Sequence, residues 1–311
     1  MQIKSVNTIG VQEHNRLFVI GNGFDLAHGL PTRFDTDFKN IAVCNEADNR
    51  FWDLYPSESA NIWSDFESLL AKPDFDELGA IFEQYPPDYL SDHESDRDSI
   101  ILQADISGKL EKSLLDFATK AEKALLLTRP RYLYKNLFTN NALYVNFNYT
   151  HTLESLYGVP ATQVLHIHGE VGGNRDLLLG YDASDFDAGN ISEDVTGRGH
   201  YRSVPTEKYI DGIEDFYVST AYKNLLLKIQ SWAKPCQTGL LSNFVKDRSI
   251  DEIIVIGFSF GKVDAVYFNQ LQQLYPTCKY IITAIDEQNA EEYNNKIMSC
   301  YSIHNYAIEL L

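Results

Sequence analysis

Five short runs of the sequence hold residue types that do chemistry, and each follows an apolar, strand-like segment. The first is Gly21, Asn22, Gly23, Phe24 and Asp25, after the apolar run 17–20 and before Gly29, Leu30 and Pro31. Glycines at a strand-to-helix turn let the backbone reach positive φ and approach a pyrophosphate, while a helix start offers amides and dipole. A tight turn without a ligand fits the same residues. The run is not the GxGxxG fingerprint of dinucleotide folds, because Leu26 stands where a third Gly or Ala belongs. The second run is Asn146, Phe147, Asn148, Tyr149 and Thr150. A carboxamide can hold a ribose hydroxyl or a water, since it both donates and accepts, and it can equally cap a helix or make a turn.

The third run is His166, Ile167, His168, Gly169 and Glu170. His168 precedes the glycine turn, where a general base can face a cleft, and strand alternation puts His166 on the same side behind it. Each histidine also fits a structural role. A His-X-His pair can begin a zinc site, but no further ligand cluster at metal spacing accompanies it, so no metal is expected. The fourth run, Gly257, Phe258, Ser259, Phe260 and Gly261, has the GxSxG form of a nucleophile elbow, and Asp286 and His304 follow in Ser, Asp, His order. Only 27 residues separate Ser259 from Asp286, which leaves no room for the extra strand, crossover and cap that such hydrolases insert there. The same turn can instead present Ser259 and its amides to a phosphate. The fifth run ends 280–285 with Asp286 and Glu287, a carboxylate placed to accept ribose hydroxyls or to favour a helix N-terminus.

The elements that must position these residues alternate between strand and helix. Apolar strand signals at 17–20, 143–147, 164–168, 253–256, 280–285 and 303–308, with helical patterns near 152–157 and from about 290, predict an α/β fold with a mostly parallel sheet. Such sheets bind ligands at the carboxyl ends of their strands, where all five runs fall. From about 35 to 130 the pattern is mainly helical, with Leu110, Leu114, Phe117, Ala118, Ala121 and Leu125 on one apolar face, which predicts a helical insertion. Residues 181–215 mix Asp, Gly, Ser and Tyr without periodicity and read as a long loop or lid. One elaborated domain over 1–311 accommodates all of this.

The chain has 311 residues, 44% of them hydrophobic, which suffices for a sizeable core. Its net charge of −18 would repel a phosphate backbone, so direct nucleic-acid binding is not expected, whereas a small anionic nucleotide held by backbone amides remains compatible. No apolar run approaches the roughly 20 residues of a membrane span, and no secretory pattern opens the chain, so a cytoplasmic protein is expected. Cys44, Cys236, Cys278 and Cys300 form no CxxC pair.

Taken in order, the five runs resemble the sirtuin fold family and its bacterial NAD-hydrolysing relatives. More closely, the chain resembles the AbiH abortive-infection family, which carries the same GNGFDLAHGL, FNYT, HIHG and GFSFG blocks. Gly21, Gly23, Asp25, Gly29, Leu30 and Pro31 keep the spacing of the first sirtuin loop. The departures are Asn22 for a small Ala, Thr150 for the Asp of a TNYD block, and Arg33 with Phe34 in inverted order. The missing CxxC zinc module makes protein deacylation an unsuitable expectation. The resemblance implies a sirtuin-like, Rossmann-type domain and hydrolysis of the nicotinamide–ribose bond of NAD, as a toxic effector of phage defence. It implies catalytic roles for Asn148, as positioner, and His168, as base. Gly21, Asn22, Gly23, Phe24, Asp25, Gly257, Ser259 and Asp286 would then hold the ADP-ribose portion. Such a toxin implies restraint by a homo-oligomer, by the 181–215 loop or by a regulatory partner protein. The alternatives are a sensor that binds ADP-ribose or NAD without turnover, and a serine hydrolase using Ser259, Asp286 and His304.

Overall fold

The computed structural model describes residues 4–5, 15–45, 55, 66–82, 84–104, 110–135, 137–138, 141–194 and 199–311. Nine strands occur among them: β1 Lys4–Ser5, β2 Arg16–Ile20, β3 Leu143–Asn146, β4 Val164–His166, β5 Asn190–Asp194, β6 Tyr201–Pro205, β7 Glu252–Ile256, β8 Lys279–Ala284 and β9 Tyr306–Leu310. The chain divides into two compact units, the first made of Met1–Arg33, Leu115–Leu178 and Pro235–Leu311, the second of Phe34–Leu114 and Leu179–Lys234.

The first unit is an α/β structure around one parallel sheet of order β1-β9-β8-β7-β2-β3-β4. β2 and β7 read as continuous apolar runs because both faces of the sheet are covered. Alternation sorts their side chains. Leu17, Val19, Leu143, Val145, Ile253 and Val255 pack on one face with Phe258, Tyr267 and Phe268. Phe18, Ile20, Tyr144, Ile254 and Ile256 pack on the other with Phe24 and Tyr134. The helix Leu110–Ala124 buries the apolar face expected from its spacing, Leu110 through Leu125. Strand ends differ from the sequence reading by up to three residues, and most consequentially β4 stops at His166 rather than at His168.

Strand order reverses at β2, with β3 and β4 on one side and β7, β8 and β9 on the other. In open parallel sheets the carboxyl ends beside such a reversal form the ligand crevice. Ile20, Asn146 and Ile256 stand level there, since Ile20 pairs with both others and Asn146 pairs in turn with His166.

The second unit is mostly helical. Its helices Ser95–Gln103 and Phe216–Gln230 pack together, and Asp215 caps the latter by accepting from the amides of Tyr217 and Val218. Tyr181 donates to Ile229 O at 2.9 Å, and Lys234 meets Glu67 at 2.8 Å. Parts of the insertion read over 35–130 (46–54, 56–65, 83 and 105–109) and of the stretch 181–215 (195–198) lie outside the described residues. Within 181–215, where the sequence shows no periodicity, lie the antiparallel pair β5–β6 and the helix Thr206–Asp211. The strands escape detection because only Ile191 and Val204 among their apolar side chains are buried, too few to write an alternation. No helix among the described residues is long and apolar enough to cross a membrane.

The turns after β2 and β7 touch backbone to backbone. A β-carbon on Gly21 would lie 2.6 Å from Gly257 O, one on Gly23 would lie 2.8 Å from Gly257 Cα, and one on Gly257 would lie 2.6 Å from Gly23 C and closer still to Phe24 N. Gly257 also has φ of 62°, a region that disfavours side chains. Gly261, in the same GxSxG run, has nothing near its missing side chain. Gly257→Ala is therefore expected to lose about 2–5 kcal/mol of stability from left-handed strain plus overpacking, against less than about 0.5 kcal/mol for Gly261→Ala. Chemical denaturation of the two variants measures the contrast, and equal losses would refute the contact as its cause.

Candidate functional site

The turn after β2 commits much of its polar backbone to the protein itself. Gly21 N donates to Ile256 O at 2.9 Å, Gly23 N to Gly257 O at 2.7 Å and Phe24 N to Gly21 O at 3.0 Å. Its glycines thus answer to the β7 turn, and the helix that follows, Asn22–Ala27, is short. Asn22 Nδ2 donates to Thr32 O at 2.7 Å, closing the turn over Leu30 and Pro31. Phe24 and Asp25, expected at a ligand, are fully buried and support the turn from beneath.

Asp25 is held by hydroxyls that donate to it from Thr150 and, at 2.8 Å, from Thr152. Thr150, the residue that departs from the TNYD pattern, is thereby the partner of the first loop's acid. Burial pushes the Asp25 carboxyl up to about 7 against the opposing pull of the two hydroxyls.

Asn148 links the strand ends. Its amide donates to Asn146 Oδ1 at 3.0 Å, its Nδ2 to Gly21 O at 3.2 Å, and its carbonyl accepts from His166 Nδ1 at 3.0 Å. The carboxamide oxygen, which none of these bonds uses, is the group able to take a ribose hydroxyl or a water. His168 lies past the end of β4. Its Nε2 meets Asp264 Oδ1 at 3.1 Å, and its ring packs edge-on against Phe147 and Tyr267. An Nε2–H bond to Asp264 selects the tautomer with the lone pair on Nδ1. The expectation that His166 and His168 share a side is corrected, because Gly169 N bonds back to His166 O and the chain turns before alternation can continue. His166 faces Glu154 at 2.9 Å and Glu170 at 3.5 Å instead.

The structure adds residues that the sequence reading missed. His151 Nδ1 meets Glu122 at 3.1 Å and its Nε2 meets Glu170 at 3.2 Å, while its amide donates to Glu122 at 2.9 Å. The Glu122 hydrogen bond pushes His151 up to about 9, against burial. Burial alone would raise Glu122, but the bonds from the His151 ring and amide hold it below its usual range. The signal available in the sequence was two histidines each followed by an acid on the same turn, His151 with Glu154 and His166 with Glu170. Asp264 and Glu122 come from distant segments and left no such trace.

Ser259 and Asp286 end neighbouring strands. Ser259 is exposed and its carbonyl accepts from Lys296 Nζ at 2.9 Å, while Asp286 accepts from Asn289 N at 2.7 Å as the cap of the helix Glu287–Cys300. The left-handed residues of the Ser259 turn are Gly257 and Phe260, at φ 62° and 55°, rather than the serine. His304 precedes β9, at the amino edge of a parallel sheet whose carboxyl edge carries Ser259 and Asp286. Those edges are separated by the length of a strand of five residues, roughly 17 Å, so a Ser259, Asp286, His304 triad is not assembled.

Comparison with protein families matches residues 17–285 to the family described as bacteriophage abortive infection AbiH. The chain belongs to the AbiH family. The matched span takes in every candidate residue from Gly21 to Ser259 and ends one residue before Asp286. Neither curated proteins nor solved structures gave a match. Within this AbiH chain the Asn148 and His168 runs, the β2 turn and the β7 turn therefore meet along one sheet edge in the first unit.

The buried acid makes a pH prediction. A carboxyl whose folded value is raised keeps its proton in the fold after the unfolded chain has lost it, so stability is full below about pH 4 and falls as pH rises to about 7. Relative to Asp25→Asn, which cannot ionise, the wild type is expected to lose roughly 2 kcal/mol between about pH 5.5 and about pH 8. Urea unfolding at both pH values tests this, and parallel behaviour of the two proteins would show that Asp25 stays ionised.

Proposed function

We propose that this AbiH protein hydrolyses the nicotinamide–ribose bond of NAD and acts as a toxic effector of abortive infection against bacteriophage. The observation that carries this reading is the placement, along the sheet edge at the strand-order reversal, of a carboxamide whose oxygen none of its bonds uses and an imidazole oriented by a carboxylate: Asn148, and His168 with Asp264. The family description supports the defence role, and the loop spacing shared with sirtuins supports NAD as substrate and a sirtuin-like domain.

Loss of nicotinamide leaves an oxocarbenium-like ribose carbon, so the protein must position a water and take its proton rather than supply a strong nucleophile. In the proposed chemistry Asn148 Oδ1 holds the water or a ribose hydroxyl. His168 Nδ1 accepts the proton, and Asp264 stabilises the imidazolium that results. Both side chains are nearly buried, and such a water-poor setting strengthens these contacts. Ser259 and Asp286, at the neighbouring strand ends, are assigned to the ADP-ribose portion. The cleavage needs no metal. Restraint in the cell is assigned to self-association or to a partner protein.

Nicotinamide release from NAD by the purified chain tests the assignment. His168→Ala and Asn148→Ala are each expected to lower turnover by about 10²–10⁴-fold while the fold is retained, and Asp264→Asn to lower it less. Ser259→Ala should only weaken substrate binding. Undiminished turnover in the His168 variant sinks the base assignment, and saturable NAD binding without release would make the protein a sensor.

A further inference from the structure

Around His151 and His166 the contacts carry more than the NAD reading uses. Both nitrogens of both rings face acceptors: Glu122 and Glu170 for His151, the Asn148 carbonyl and Glu154 for His166. Hydrogen bonding alone satisfies this only if both imidazoles are doubly protonated, with ring centroids 5.2 Å apart. One divalent cation between the two Nε2 atoms supplies the same charge while each Nδ1–H keeps its bond. Glu122 on one Nδ1 and a backbone carbonyl on the other are the outer contacts that metal-binding histidines use to fix ring and tautomer.

The separations suit a small ion. Ligand atoms at about 2.0–2.2 Å from a tetrahedral Zn²⁺ lie roughly 3.3–3.6 Å apart. His151 Nε2 and Glu170 Oε2 are 3.2 Å apart and His166 Nε2 and Glu170 Oε2 3.5 Å, whereas Glu154, at 2.9 Å from His166 Nε2, stands at hydrogen-bond rather than ligand spacing. One donor atom each from His151, His166 and Glu170 lie within 4.8 Å of one another. Each donor is anchored. His151 is tied to Glu122 and His166 to the Asn148 carbonyl, and Glu170 is fixed by Gly173 N bonding to its carbonyl and by Val171 N bonding to Tyr149 O.

We propose that His151, His166 and Glu170 form a binding site for a divalent transition-metal ion, Zn²⁺ by geometry, with Glu122 and the Asn148 carbonyl as outer contacts of the two imidazoles. The proposed site departs from the expectation of no metal, and it takes His166 without His168. The ligands come from the turn after β3, the last residue of β4 and the turn that follows it, a combination that spacing along the chain conceals. Two imidazole nitrogens with a carboxylate favour Zn²⁺ over Mg²⁺ or Ca²⁺, which take oxygen.

The test uses the full chain, dialysed against a chelator and titrated with Zn²⁺ by calorimetry in the absence of nucleotide, so that failure leaves the NAD assignment standing. One Zn²⁺ per chain is expected, with affinity falling at least about 10–100-fold in His151→Ala and in Glu170→Gln. The Co²⁺ form of the wild type should show the intense visible bands of tetrahedral nitrogen and oxygen coordination, a readout that does not depend on whether a variant folds. No saturable binding, wild-type affinity in both variants, or only the weak bands of octahedral Co²⁺ would overturn the site.

Discussion

The contact on which the first unit depends is the one between two turns at the sheet's strand-order reversal. Gly21 and Gly23 end β2, Gly257 ends β7, and their backbones approach so closely that no β-carbon fits at any of the three. Gly21 N and Gly23 N bond to Ile256 O and Gly257 O, which continues the sheet ladder past the last paired residues. Two central strands are thus clamped at their carboxyl ends. Turns at a ligand crevice are ordinarily loose, yet here the crevice begins from a fixed floor. A glycine run that resembles a phosphate cradle has at this point a structural reason sufficient in itself, and other groups stand beside it at the edge.

Those groups are side chains set on that floor. Asn148 reaches back to Gly21 O, Phe147 N bonds to Ile20 O, and Ile167 N bonds to Asn146 O, so β3 and β4 are tied to β2 in sequence across the edge. Beneath it Asp25 receives Thr150 and Thr152, which joins the first turn to the start of the helix Thr152–Tyr157. Each of His151, His166 and His168 then meets at least one carboxylate from another segment. An acidic chain is suited to this arrangement: carboxylates gathered around imidazoles orient the rings and favour cations.

Much of the sheet was legible because burial on both faces writes apolar runs, as in residues 17–20 and 253–256, and because glycines mark the turns that follow. The face of the helix Leu110–Ala124 was equally plain from its spacing. What could not be read depends on contacts between distant segments. Gly21 and Gly257 lie 236 positions apart, and neither sequence run announces the other. Asp264 and Glu122 look like ordinary surface acids until the fold sets them against His168 and His151. β5 and β6 were hidden for the opposite reason, since strands with so little apolar burial leave no alternation to find. Asn148 and His168 lie at the carboxyl edge, where their runs follow strand signals in the sequence, but their neighbours had to come from the fold.

Asn148 ties the two halves of the edge together. Its side chain grips the clamped turn at Gly21, and its carbonyl receives the proton of His166 Nδ1, so the orientation of this one residue is set from both directions. A cation on His166 Nε2 would polarise the ring and strengthen that Nδ1–H bond, stiffening the backbone that carries the Asn148 carboxamide. In that arrangement His166 would carry the effect of a bound cation to Asn148, and the cation would take no part in bond cleavage. The chemistry assigned to His168 is separate, for its ring is oriented by Asp264 and walled by Phe147 and Tyr267 rather than by the Glu154 and Glu170 cluster. Two histidines two residues apart thus serve different neighbours because the chain turns at Gly169, and that turn divides the carboxylate cluster around His151 and His166 from the His168–Asp264 pair.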